Sequence, residues 1–166
     1  MAIEHDYFGI IDEDASGALS WSDVVELAEQ PVTVELTADD ESAVSETALN
    51  SASAMLLAVE GFDARARDAL IAQLSERGSA TSNYIDTHMD EMGESLLDLL
   101  VHNSGDIPMD VLRSLQLARI ALYPERDDEG EAFAVFDYSI SPEDVQYLLM
   151  VSFDIRGSVV AIEMEN

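Results

Sequence analysis

The chain predicts an α+β fold in which strands and helices are segregated: an N-terminal strand pair, three to four central helices and a C-terminal four-stranded antiparallel meander. Three observations carry this. Residues 118–166 alternate or cluster apolar, β-branched and aromatic side chains over runs of strand length. Residues 37–117 change to a 3.6-residue period. Strands and helices do not alternate as βαβ units, so the helices are expected to pack on an antiparallel sheet. One domain over 1–166 is expected, with a hairpin region at 1–36, a helical middle at 37–117 and the meander at 118–166.

In chain order, YFGII (Tyr7 to Ile11) reads as a first strand. PVTVEL (Pro31 to Leu36) reads as a second, with Val32, Val34 and Leu36 on one face. Between them, residues 12–23 fit the pattern of a twelve-residue calcium loop. Asp12, Asp14, Ser16, the Ala18 carbonyl, Ser20 and Asp23 stand as oxygen donors, and Gly17 falls at the sharp turn. Calcium takes six to eight oxygens at flexible distances, and this spacing wraps a chain around the ion. The last ligand of such loops is usually a bidentate Glu, and Asp23 is shorter. The same residues also read as a hairpin, with Tyr7 to Asp12 and Leu19 to Leu27 as strands and DASG as the turn. The incoming AIEHDYFGII is too short and too β-like for the first helix of a calcium hand.

From Thr37, a capping residue followed by Asp39, Asp40 and Glu41 predicts a helix, since acids suit the positive end of the helix dipole. Val44, Ala48, Ala52, Met55, Leu56 and Val59 share one face, and Gly61 ends it. Asp63 caps a second helix with Leu70, Ile71 and Leu74 inward and Gly78 as its stop. A third runs from about Ser82 to His102 with Tyr84, Ile85, His88, Met89, Met92, Leu96, Leu99 and Leu100 as its stripe, weakened at Gly93. Asp106 and Pro108 open a short fourth holding Val111, Leu112 and Leu115.

The meander follows: ARIALYP (Ala118 to Pro124), the charged ERDDEGE loop, AFAVFDYSI (Ala132 to Ile140), QYLLMVSFD (Gln146 to Asp154) and SVVAIEME from Ser158. Gly130 and Gly157 mark its tight connections.

Composition bounds function. At 48% hydrophobic residues the chain is long and apolar enough to bury a core. The absence of Cys excludes disulfides and thiol chemistry. No basic-then-apolar leader or long apolar run is present, so a cytoplasmic protein is expected. Asp and Glu number 35 against 7 Arg, with no Lys, for a net charge of −28. Such a surface repels nucleic acid and anionic membrane and attracts a basic protein. A solvated surface suited to an acidic, lysine-poor proteome, or plain solubility, explains the charge equally simply.

Catalytic signatures are missing: no nucleophile elbow, phosphate loop, His-Glu-x-x-His helix or Lys. His5, His88 and His102 are scattered; His88 stands one turn from Glu91 and Met92, a bare His-carboxylate pair. Met55, Met89, Met92 and Met109 lie at helical spacing and read as core filling before a pliable groove. The expected function is therefore a non-catalytic cytosolic interaction module, immunity-like or antitoxin-like at most, facing a basic partner. The alternatives are a calcium-binding module at 12–23 and a carboxylate-based hydrolase, whose paired acids nothing in the sequence selects. No cofactor is expected, calcium aside.

YFGII, PVTVEL, the YIDTH helix, L-x-R-I-A-L-Y-P, AFAVFDYSI, LLMVSFD-x-x-G and the closing IEMEN together resemble a bacterial family known only as domain of unknown function two-thousand-four. The resemblance is densest from Arg119 onward. It implies a compact α+β domain and the hairpin reading of Asp12 to Asp23, and it carries no activity or catalytic residue with it.

Overall fold

The computed structural model describes residues 3–27, 30–100, 104–141 and 147–165. Its strands are β1 (Ile3–His5), β2 (Gly9–Glu13), β3 (Leu19–Leu27), β4 (Gln30–Ala38), β5 (Gln116–Leu122), β6 (Ala134–Ser139), β7 (Leu148–Phe153) and β8 (Val159–Glu165). They form one eight-stranded sheet in sequence order. Its helices are α1 (Glu46–Leu57), α2 (Val59–Ala72), α3 (Ala80–Met92), α4 (Ser95–Leu99) and α5 (Ile107–Ser114). All neighbouring strands are antiparallel except β4 and β5, which run parallel. The exception has a simple cause: five helices intervene, and a crossover of that length returns the chain to start β5 beside the start of β4.

The fold is thus mixed α+β, and the expected layout needs correcting. The N-terminal pair is four strands, and the four C-terminal strands continue the same sheet instead of forming a meander of their own. The C-terminal strand positions agree with expectation to within a few residues; Gln146 lies outside the described residues.

Thr37 does not cap a helix. It lies in β4, because the Val32, Val34, Leu36, Ala38 alternation pairs through to the end, with Leu19 opposite Ala38. Strand pairing overrides the local capping signal. α1 starts later, where the Ser45 hydroxyl accepts from the Ala48 amide. Gly61 is not a stop and Asp63 is not a cap: both sit inside α2, and the break between α1 and α2 falls at Ala58. α3 ends at Gly93, whose φ of 53° favours the one residue without a Cβ, so the expected continuous helix to His102 is split. His102 lies outside the described residues. α5 begins as expected, with the Asp106 carboxylate accepting from the Met109 amide and Pro108 in its first turn.

The helices lie on one face of the sheet. Val34 and Leu36 of β4 are in register with Ile120 and Leu122 of β5, then with Phe136 and Ala134 of β6, then with Val151 and Phe153 of β7; all are buried. Each large side chain here contributes about 2 kcal/mol by leaving water. Phe62 of α2 meets Phe153 edge-on at 5.3 Å between centroids. The Tyr138 hydroxyl donates to Asp63 Oδ1 at 2.6 Å, and Arg67 holds both Asp63 oxygens while donating to the Leu115 carbonyl. That network ties α2 to β6 and to the end of α5. No described helix is long and apolar enough to cross a membrane.

Candidate functional site: the open face of the sheet

Strand alternation sends every second side chain to the opposite face. There the pairing lines up one rung across six strands: Val24, Thr33, Arg119, Asp137, Met150 and Glu163. Phe62 to Phe153, Asp63 to Tyr138 and His88 to Tyr147 join α2 and α3 to the other side, while the Tyr84 hydroxyl of α3 also meets the Ser139 side chain, which shares the Asp137 side of β6. This second face is acidic along its outer strands, whereas at its centre Ala121, Val135, Asp137, Ser139 and Ser152 are buried. By the same register it carries Glu4, Asp12, Glu26, Glu35, Asp137, Glu163 and Glu165 against a single cation, Arg119. Ile10 and Val24, 66% and 56% exposed, add apolar patches.

The centre of that face is a charge bridge over three strands. The Arg119 guanidinium donates from Nη2 to Glu35 on β4, and its Nη1 stands 3.7 Å from Asp137 Oδ2 on β6. Its outer half is open: the Arg119 and Glu35 side chains are 43% and 39% exposed. Its inner half is closed, with the Asp137 side chain only 6% exposed. Two buried polar atoms there have no hydrogen-bond partner among the described residues, Asp137 Oδ1 and Arg119 Nε. An unsatisfied buried carboxylate oxygen is costly. Burial pushes the Asp137 carboxyl up to about 6, Arg119 pulls against it, and Glu165 and Glu35 add to the rise.

The residues singled out by sequence are arranged differently. The segment from Asp12 to Asp23 is a hairpin: Asp12 pairs with Ser20, Glu13 with Leu19, and Asp23 is three positions along β3, opposite Val34. At ~3.3 Å per residue that sets Asp23 about 10 Å from Ser20 along the strand. Asp14 Oδ1 accepts from the Ser16 amide at 2.9 Å, the Ser16 hydroxyl at 2.6 Å and the Ala18 amide at 3.1 Å. The Ser16 hydroxyl first, then the amides, hold this carboxylate below its ordinary range. The Ala18 carbonyl accepts from the Asp14 amide at 2.9 Å, and Asp23 Oδ1 accepts from the Val24 amide at 2.8 Å. Four of the six donors, those of Asp14, Ser16, Ala18 and Asp23, hold bonds within the turn and strand, and Asp23 stands away from the turn. Among the described residues, no group of three or more His, Cys, Asp or Glu side chains is placed to hold a metal ion.

His88 does not pair with Glu91. It is buried, its Nδ1 donates to the Tyr84 carbonyl at 2.7 Å, and its ring packs between Tyr84 and Tyr147. Glu91 accepts from the Tyr147 hydroxyl. His5 bridges to Asn50 and accepts from the Tyr7 amide. Of the methionines, Met55 is core, whereas Met89 is 40% exposed. Asp154, in the VSFD-x-x-G stretch, is structural. Its Oδ1 accepts from the amides of Arg156 and Ser158, and its Oδ2 accepts from Gly130 in the neighbouring turn.

Sequence reasoning passed over Glu35, Arg119 and Asp137. A signal for them is present: Arg119 and Asp137 are lone charges inside the apolar runs LARIAL and AVFDYS, of opposite sign, on consecutive strands.

No family model, no curated protein and no solved structure matches the chain.

Proposed function

We propose that the protein is a non-catalytic interaction module that holds a basic protein partner against the open face of its sheet. The observation that carries this is the face itself: six carboxylates and one arginine around the buried Asp137, in a chain of net charge −28. A field of that sign raises the encounter rate of a cationic protein and turns away phosphate-rich ligands. Exposed Ile10 and Val24 supply apolar area that such a partner covers, the usual composition of an interface centre within a polar rim. A cytosolic location belongs to the same proposal.

The test compares two variants that remove the same charge from different places. E26Q/E163Q/E165Q removes three of the carboxylates of this face and leaves the Arg119 bridge in place. E60Q/D68N/E76Q neutralises exposed acids on the helical side. Affinity for a fluorescent hexa-arginine peptide is read by anisotropy at low salt. The face variant is expected to bind about tenfold more weakly, a loss of ~1.4 kcal/mol, and the helical-side variant to lose clearly less. Equal losses would show attraction to net charge alone and overturn the proposal.

A further inference from the structure

Asp137 is set into the docking face in a way that plain acidity does not require. Glu26, Glu163 and Glu165 are exposed and would attract a cation unaided. Asp137 is instead sunk in the central rung, with one oxygen 3.7 Å from Arg119 and the other buried without a hydrogen donor among the described residues. An oxygen that holds no hydrogen bond and is closed to bulk solvent is within reach of one ligand above all, a proton. The groups facing it are known from every neighbouring strand. β5 supplies the Arg119 guanidinium, beside which Tyr123 also lies; β4 supplies Glu35; β8 supplies Glu165, with Glu163 across Met150. β7 contributes only Met150 at this rung.

Resting on the docking reading above, we infer that Asp137 makes this face proton-linked: protonation of its carboxyl weakens the hold on a cationic partner, and arrival of that partner expels the proton. The charge arithmetic is direct. With Asp137 ionised, Arg119 is shared between two carboxylates and the bridge carries a net negative charge. With Asp137 protonated, Arg119 and Glu35 neutralise one another and the centre of the face carries none. A partner's guanidinium or ammonium group brought over the bridge favours the ionised state, because an opposite charge nearby always does. Burial places the changeover at about 6, inside the range that cells reach.

The experiment uses the whole chain, its D137N variant and the hexa-arginine peptide, at constant ionic strength. Asn keeps the side-chain volume and stands in for the protonated acid. At about pH 7.5 the wild type is expected to bind about fivefold more tightly than D137N, and at about pH 5 the two should bind alike. Calorimetry of the wild type near pH 6, in two buffers of different ionisation enthalpy, should show a fraction of a proton released on binding, with no variant needed. A constant ratio between wild type and D137N across pH, with no proton release, overturns the inference while leaving the docking face standing. If the E26Q/E163Q/E165Q comparison also fails, both fall together.

Discussion

Asp137 and Tyr138 are consecutive residues on β6 that face opposite sides of the sheet, and each is a buried acid handled in its own way. The Tyr138 hydroxyl donates to Asp63 at 2.6 Å, and burial first, then the Asp63 charge, raises its pKa far above the ordinary range. It stays a neutral donor and fastens a helix. Asp137 has an arginine beside one oxygen and, among the described residues, no hydrogen-bond partner on the other, and burial pushes its carboxyl up to about 6.

Asp137 gives stability a distinctive pH dependence. Its carboxyl binds a proton more tightly folded than unfolded. Its contribution is therefore fully present below about 3.8 and lost as pH rises through about 6. The difference is at most about 3 kcal/mol. Denaturant unfolding of D137N should show higher stability than wild type at about pH 7.5 and convergence at about pH 4. The difference between the two chains is the quantity to read, because Asp14, Asp40 and Asp110, held below their ordinary values by hydrogen bonds, lose stability on acidification in both.

Removing Arg119 should do the reverse. R119M leaves Asp137 buried with no cation, which costs about 2–4 kcal/mol at about pH 7.5 and much less at about pH 5, where the acid is neutral. A loss equal at both pH values would mean that the arginine acts through its packing alone.

Tyr138→Phe removes the hydroxyl that Asp63 accepts from and leaves Arg67 in place. A destabilisation of about 1–2 kcal/mol is expected, with affinity for a hexa-arginine peptide unchanged. A change in affinity would link the helical side to docking.

The turn glycines distinguish clash from conformation. Gly130 and Gly157 both have positive φ, 86° and 83°. A Cβ at Gly130 meets nothing within 4 Å, whereas one at Gly157 would lie 2.9 Å from Phe62 Cε1. Gly130→Ala should cost about 1 kcal/mol from backbone strain, and Gly157→Ala more, as Phe62 must shift against Phe153. Thermal melts of the two variants decide it.

How far this was legible in sequence varies by segment. The C-terminal strands were, because Val135, Phe136, Val151 and Phe153 stand in short apolar runs that end at Gly or charge. The helical middle was legible in period and poorly in boundaries. Asp39, Asp40 and Glu41 resemble a first helical turn, and only pairing with β3 keeps Thr37 in a strand. Union of the two halves through β4 and β5 was not legible, since nothing local encodes a contact between residues such as Val34 and Ile120. The acidic face suffered the same way. Glu35, Arg119 and Asp137 are far apart in the chain and meet only through strand order, whereas Asp12 to Asp23 is contiguous and drew attention to a turn that Asp14 organises for itself.

The most direct test of the docking face is backbone and side-chain NMR of the labelled protein titrated with hexa-arginine at low salt. Perturbed signals should cluster on Glu35, Arg119, Asp137, Glu163 and Val24 and spare the exposed sides of α1 and α2. Shifts spread evenly over every exposed acid, or concentrated on the helices, would contradict the assignment of the sheet face as the interaction surface.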